Sequence, residues 1–198
     1  MSHDGGWDEF AEGWDDDPAA IAYSDAAFRS LVEVLADRRR PLEGARVLDF
    51  GCGTGLLTQQ LVDRVAAIDA MDTSSAMLDV LRAKAVRAGW TNVRVLGELP
   101  VSGTYDLIVA SSVCSFLDDY PGVASHLASL LSAEGTFVQW DWERDPADDD
   151  QHGLTRVGVV DALAAAGLEA VTVESAFEVR VGDTVMAPII GVGSKPPG

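Results

Sequence analysis

The sequence predicts an α/β fold: a single-domain, doubly wound, mostly parallel seven-stranded sheet with an antiparallel last strand, helices on both faces and a helical N-terminal cap. Three observations carry that expectation. From residue 46 onward, short apolar runs alternate with segments of helical period. The runs are apolar throughout rather than at every second position, as strands covered on both faces are. The last two runs have no helix between them, which suits an antiparallel pair. The 198 residues, 47% of them hydrophobic and 23% charged, are enough for one domain with its own core.

Residues 1–18 carry seven acids, no Lys or Arg, and the aromatics Trp7, Phe10 and Trp14. Steps of three and four place those rings on one helical face, so the segment reads as an amphipathic cover over an apolar surface and as a mobile lid. Ile21, Phe28, Leu31, Val32 and Leu35 continue a helical period to about Arg39, where Pro41 and Gly44 stop it. Residues 1–40 are therefore expected to be a cap, and residues 41–198 the binding domain.

Within that domain the strand candidates are 46–50, 65–70, 93–96, 105–110, 135–141, 168–179 and 184–193, the last two separated by Gly182-Asp183. Helical segments are expected over 56–62, 74–88 (closed by Gly89), 122–131 and 155–166 (closed by Gly167), with an acidic irregular loop over 143–153.

Lys and Arg number 14 against 32 Asp and Glu, a formal charge of −18, which argues against a nucleic-acid partner because a phosphate backbone needs a basic footprint. No apolar run is long enough to cross a bilayer, and the acidic start lacks the features of a secretory signal, so no membrane and a cytoplasmic address are expected. Cys52 and Cys114 form neither a disulfide framework nor a ligand pair, and His3, His126 and His152 show no metal-binding spacing, so no metal is expected. Oligomeric state is not legible.

In a sheet of this kind ligands lie beyond the carboxyl ends of the strands, where the strand order reverses. The first strand-to-helix junction reads Val47-Leu-Asp-Phe-Gly-Cys-Gly-Thr-Gly55. Gly51 and Gly53 permit positive φ and bring a ligand against bare backbone, and Gly55 lets the helix start close to the strand. Asp72, at the corner after the second strand and 19 residues beyond Gly53, sits where an acid would grip ribose hydroxyls. A plain helix cap is the rival reading for it, and Asp69 is a rival acid inside the strand. Leu56 stands where a dinucleotide turn has its third glycine, and no Gly-Lys-Ser/Thr follows, which excludes a P-loop. Asp49, two residues before the first glycine, suits instead a cationic ligand such as S-adenosylmethionine, whose methionine part carries an ammonium and a sulfonium.

Residues 47–58 resemble the first motif of the class I, Rossmann-like, seven-stranded S-adenosylmethionine-dependent methyltransferases. Asp72-Thr-Ser-Ser-Ala-Met-Leu78 resembles their second motif, and residues 93–99, 106–117 and 130–138 are similar to the third to fifth segments in order and spacing. The stretch from Trp7 to Tyr23 resembles the N-terminal cap of small-molecule members. The resemblance implies S-adenosylmethionine as cofactor, S-adenosylhomocysteine as product and a small-molecule methyl acceptor. It implies that Asp49 and the backbone of Gly51, Cys52 and Gly53 face the methionine part, and that Asp72 holds the ribose. Thr73 and Met77 would flank the adenine, with Glu98 and Leu99 at its edge, where members usually have Gly-Asp-Ala. Ser111 falls near the methionine group, and Tyr23 and Trp14 are cap contacts. Met77 reads equally as a core residue, and Cys52 as a small turn residue.

Cys114, Asp141 and Trp142, at the ends of the fourth and fifth strands, are the acceptor-site candidates, and strand alternation sends Trp140 and Trp142 to one face and Asp141 to the other. No residue is assigned as a general base. His126 falls on a helix, and His152 in the acidic loop near the expected mouth. The segment 110–116 lacks the Asn/Asp-Pro-Pro-Tyr pattern of amino-methylating enzymes of nucleic acids and glutamine, and no cysteine follows a proline, as a cytosine-C5 enzyme requires. Two other readings stay open: a non-catalytic binder of S-adenosylmethionine or S-adenosylhomocysteine acting as a regulatory or partner protein, and a nicotinamide oxidoreductase, which Leu56 disfavours.

Overall fold

The computed structural model describes residues 6–148 and 152–198. Nine strands and five α-helices appear among them: α1 (Pro18–Asp37), β1 (Arg46–Phe50), α2 (Leu56–Leu61), β2 (Ala67–Met71), α3 (Ser75–Ala88), β3 (Val93–Leu96), β4 (Tyr105–Ser111), α4 (Tyr120–Leu130), β5 (Leu131–Asp141), α5 (Arg156–Ala165), β6 (Glu169–Ser175), β7 (Val179–Val181), β8 (Thr184–Met186) and β9 (Ile189–Ser194). Seven strands form one sheet in the order β3-β2-β1-β4-β5-β9-β6. The first five run parallel, and β9 lies antiparallel to both neighbours. The expected sheet is therefore present, with its odd strand last in sequence and second from the edge in space.

Local chemistry accounts for the helix ends. Pro18 opens α1 with its fixed φ, and the Asp17 carboxylate accepts the Ala19 N–H at 2.8 Å. Ser74 caps α3 by accepting the Met77 N–H, and Gly89 closes it. Successive strand residues feed opposite cores. Val47, Ile68, Ala70, Leu107, Val109, Val138 and Trp140 pack with α1, α2 and α3, whereas Leu48, Phe50, Met71, Ile108, Ala110 and Phe137 pack with α4 and α5.

Two expectations need correction. Trp7, Phe10 and Trp14 do not share one helix: the segment forms two short 3-10 turns, Asp8–Phe10 and Trp14–Asp16, because Gly13 between them adopts φ 86°. The rings still gather, with Trp7 at 6.1 Å from both Phe10 and Trp14. The two final apolar runs are each broken in two. Their inner pieces, β7 and β8, leave the main sheet as a separate hairpin whose turn is Gly182-Asp183, and β7 packs on α1. Phe177, just before β7, stands edge-on to Tyr23 at 5.2 Å. That tertiary contact draws the chain away from the edge strand. Among the described residues, no helix is long and apolar enough to cross a membrane.

Candidate cofactor and acceptor site

The strand order reverses between β1 and β4, and a cavity of about 450 Å³ opens there beyond their carboxyl ends. The turn after β1 forms its floor. Gly51 takes φ 70°, and a Cβ there would lie 2.6 Å from the Val113 side chain on the segment after β4, so a larger residue would close the crevice. Gly53 takes φ 54°, with only Met77 Sδ at 4.0 Å from a would-be Cβ, which leaves a bare face toward the cavity.

The amide groups of this turn point inward. Those of Gly51 and Cys52 donate to the Met71 carbonyl at 2.8 and 2.9 Å, that of Gly53 to Asp72 Oδ2 at 2.8 Å, and that of Gly55 to the Cys52 carbonyl at 2.9 Å. These four donors are spent on the protein, so they do not form a nest for a pyrophosphate. Asp72 accepts the Ser74 N–H through Oδ1 at 2.9 Å, so each carboxylate oxygen holds one backbone N–H and keeps a lone pair for a ligand. The rival acid Asp69 is committed elsewhere, to the Arg94 guanidinium and the Tyr105 hydroxyl.

Asp49 is the unusual group. It lies in β1 with 1% exposure, and Oδ2 accepts the Thr58 hydroxyl at 2.6 Å. Oδ1 is buried on the cavity wall without a partner among the described residues. Burial raises its pKa to about 6; the Thr58 bond opposes this, and the Asp72 charge adds to it. A buried carboxylate oxygen left unpaired is what a cationic ligand would satisfy. These acceptors therefore fit a ligand carrying an ammonium, with ribose hydroxyls toward Asp72.

The remaining wall comes from four places. Ser111 and Ser112 follow β4, and Ser112 donates to the Tyr23 hydroxyl at 2.8 Å. Tyr23, on α1, is held protonated because burial pushes its phenol well above the ordinary range. Trp142, at the end of β5, packs at 5.6 Å from Tyr23. The acidic N-terminal segment crosses the mouth as a strap. Asp15 pairs with Lys84 Nζ at 2.8 Å and accepts the Thr54 hydroxyl at 2.7 Å, Asp8 accepts the Ser74 hydroxyl, and Trp7 meets Phe116 edge-on at 5.1 Å. Lys84 is 5% exposed, so Asp15 supplies its buried countercharge.

The expected residues Asp49, Gly51, Cys52, Gly53, Asp72, Thr73, Met77, Ser111, Tyr23, Trp14 and Trp142 all line this one cavity. Four others do not. Glu98 is exposed, and Leu99 packs against the α4–α5 core. Cys114 is buried in that core, and burial together with the Asp141 charge pushes its thiol up. Asp141 has 0% exposure and spends its oxygens on the Ser115 and Trp142 N–H groups, each at 3.0 Å. As alternation requires, it faces away from Trp142. His126 bonds the Pro100 carbonyl at 2.7 Å, away from the cavity. Trp7, Ser112, Phe116 and Met186 line the cavity without having been singled out as site residues. Ser112 carried no sequence signal, yet it adopts φ 54°, a strained turn that redirects the chain after β4.

The sequence model of a family described as "Methyltransferase domain" matches residues 21–173, more than half of the chain. The chain belongs to the class I S-adenosylmethionine-dependent methyltransferases. A malonyl-[acyl-carrier protein] O-methyltransferase of Halalkalibacterium halodurans is 34% identical to it over 120 residues, 54% of this chain and 44% of that protein. A ubiquinone biosynthesis O-methyltransferase of Methylocella silvestris is 33% identical over 100 residues, 48% and 39% of the two chains. This methyltransferase thus spans less than half the length of these two relatives. Its fold is shared by the N-methyltransferase NodS of Bradyrhizobium japonicum in complex with S-adenosyl-L-homocysteine, with TM-score 0.70, 17% identity and coverage of 92% of this chain and 90% of that one.

Proposed function

We propose that this chain transfers a methyl group from S-adenosylmethionine to a small-molecule acceptor by in-line displacement. The observation that carries the reading is the buried Asp49 Oδ1, without a partner among the described residues, on the wall of a cavity whose turn directs the Gly51, Cys52, Gly53 and Gly55 N–H groups to the protein itself. Asp49 takes the ammonium of the methionine part, Asp72 the ribose hydroxyls, and Thr73 and Met77 the adenine. When bound, the cofactor supplies an electrophilic methyl group on a good, neutral leaving group.

The protein's own contribution is placement and exclusion of water. Burial keeps the phenol proton on Tyr23, and because Ser112 donates to the same oxygen that proton is left to be donated into the cavity. Of the expected cap over residues 1–40, the first five lie outside the described residues; residues 6–40 serve as the cap, and the strap over residues 7–17 is a lid latched by Asp15 to Lys84 and Thr54. Trp142 and Tyr23 wall the acceptor side. None of these groups acts as a general base. Any proton that the acceptor loses passes to solvent or to a group that the acceptor brings.

Calorimetry with S-adenosylmethionine, S-adenosylhomocysteine and NAD tests the reading. Binding of the first two and not the third is expected, with S-adenosylhomocysteine released on incubation with a metabolite pool. NAD binding, or no affinity for either adenosyl compound, refutes it. Binding without any transfer would point instead to a regulatory binder.

A further inference from the structure

Beyond the strap lies a second cavity of about 400 Å³. It shares Trp7, Phe116 and Leu117 with the cofactor cavity, so the edge-on contact of Trp7 and Phe116 is a wall common to both. Phe10 adds a third ring, 6.1 Å from Trp7 and 55% exposed. His152 forms the opposite side. Its ring lies 4.3 Å from Phe116, and its Nε2 bonds the Ser115 hydroxyl at 3.1 Å, which holds the imidazole as a face of the cavity. Ser115 is itself fixed from below by its N–H to the buried Asp141 at 3.0 Å.

The charge pattern is one-sided. Asp17, Asp49 and Asp72 line the first cavity, Asp118 lines the second, and neither lining includes a Lys or Arg among the described residues. Asp118 is exposed at the rim, on a chain of formal charge −18. Aromatic faces with an acid at their edge attract a cation through the ring quadrupole and the field of the acid, and the same surroundings repel a carboxylate or phosphate.

We propose that the second cavity is the outer subsite for the acceptor and that it takes a positively charged amine, held against Trp7, Phe10 and Phe116 with Asp118 beside it, while the reacting end of the same molecule lies across Leu117 in the first cavity. The proposal rests on the methyl-transfer reading and narrows it to ring-bearing or apolar acceptors that carry an ammonium. His152 and Ser115 shape the subsite rather than react.

The test is calorimetry on the full chain saturated with S-adenosylhomocysteine, using tyramine and phloretate, which has a carboxylate in place of the ammonium. Tyramine is expected to bind about tenfold more tightly, and the preference should narrow in high salt. D118N should remove most of that preference, and Phe10→Leu should weaken tyramine by about threefold. The S-adenosylhomocysteine affinity of every variant is measured in the same experiment and reports both folding and the underlying reading. If that ligand fails to bind, methyl transfer itself is refuted. If it binds, but phloretate matches tyramine or neither compound binds at millimolar concentration, only the amine subsite is overturned.

Discussion

Replacing Asp49 with Asn separates what this carboxylate does for the ligand from what it does to the fold. Burial raises its pKa from the ordinary 3.8 to about 6. A group whose pKa is higher folded than unfolded stabilises the fold fully in acid, and that stabilisation is lost as pH rises through the folded value. Across that interval, at about 1.4 kcal/mol per pH unit, ionising Asp49 costs the ligand-free protein on the order of 3 kcal/mol at neutral pH. Asn keeps an oxygen for the Thr58 hydroxyl and removes the charge, but its amide nitrogen takes the place of the unpartnered Oδ1, at a cost of about 1–3 kcal/mol. The stability of D49N relative to the native protein should therefore rise by about 2.5 kcal/mol between about pH 4 and about pH 7.5, whatever the fixed cost of the amide. Urea unfolding of the ligand-free proteins at both pH values measures this. Calorimetry at the higher pH should show S-adenosylhomocysteine bound about tenfold to a hundredfold more weakly, the loss of one charge-assisted hydrogen bond. Parallel pH dependences for the two proteins, or unchanged affinity, would refute the assignment.

Two further substitutions probe the turn and the strap. Asp72→Ala removes the acceptor of the Gly53 and Ser74 N–H groups, bonds worth about 1.5–3 kcal/mol each, so it should lower both the melting temperature and the cofactor affinity; unchanged affinity would deny Asp72 its ribose role. Lys84→Met keeps the buried stem but removes the countercharge of Asp15, so limited proteolysis should cut the N-terminal strap sooner and bound S-adenosylhomocysteine should dissociate faster. Equal cleavage rates would show that the pair is not the latch.

What could be read in advance follows from how local the cause is. β1 and β3 occupy the expected residues because each is a short, mainly apolar segment that ends at a glycine, Gly51 and Gly97. Helix α3 begins and ends as expected because Ser74 and Gly89 act on their immediate neighbours. The wall of the cavity built from β1 and β2 was legible for the same reason: Asp49, Gly51, Gly53 and Asp72 are brought to it by spacing along two adjacent strands and the turns that follow them. The opposite wall was not. Met186 enters the cavity only because Phe177 packs on Tyr23 and draws a hairpin out of what reads as two long strands. Cys114 faces the opposite core because the positive φ of Ser112 rotates the chain just after β4. The first is a tertiary effect between segments far apart in sequence, and the second rests on a left-handed backbone at a serine, a residue type that does not announce it. Trp142 and Asp141 fall between these cases, since alternation settles that they face opposite sides but not which side is the cavity.

The sign of the ligand's charge follows from the direction of a few amide groups. In a phosphate-binding turn the N–H groups face outward and form a positive nest. Here those of Gly51, Cys52, Gly53 and Gly55 are spent on the protein, and one of their acceptors is the Asp72 carboxylate itself. The crevice is thereby left with two carboxylates, Asp49 and Asp72, the charge of Asp72 raising the cost of ionising Asp49, and with Lys84 already neutralised by Asp15. This is an unfavourable arrangement, because two like charges face a cavity whose lining includes no Lys or Arg among the described residues. A ligand carrying an ammonium relieves it, and one carrying a pyrophosphate worsens it. Discrimination between an adenosyl sulfonium and a dinucleotide is thus built into the crevice itself, before any contact with the adenine is made.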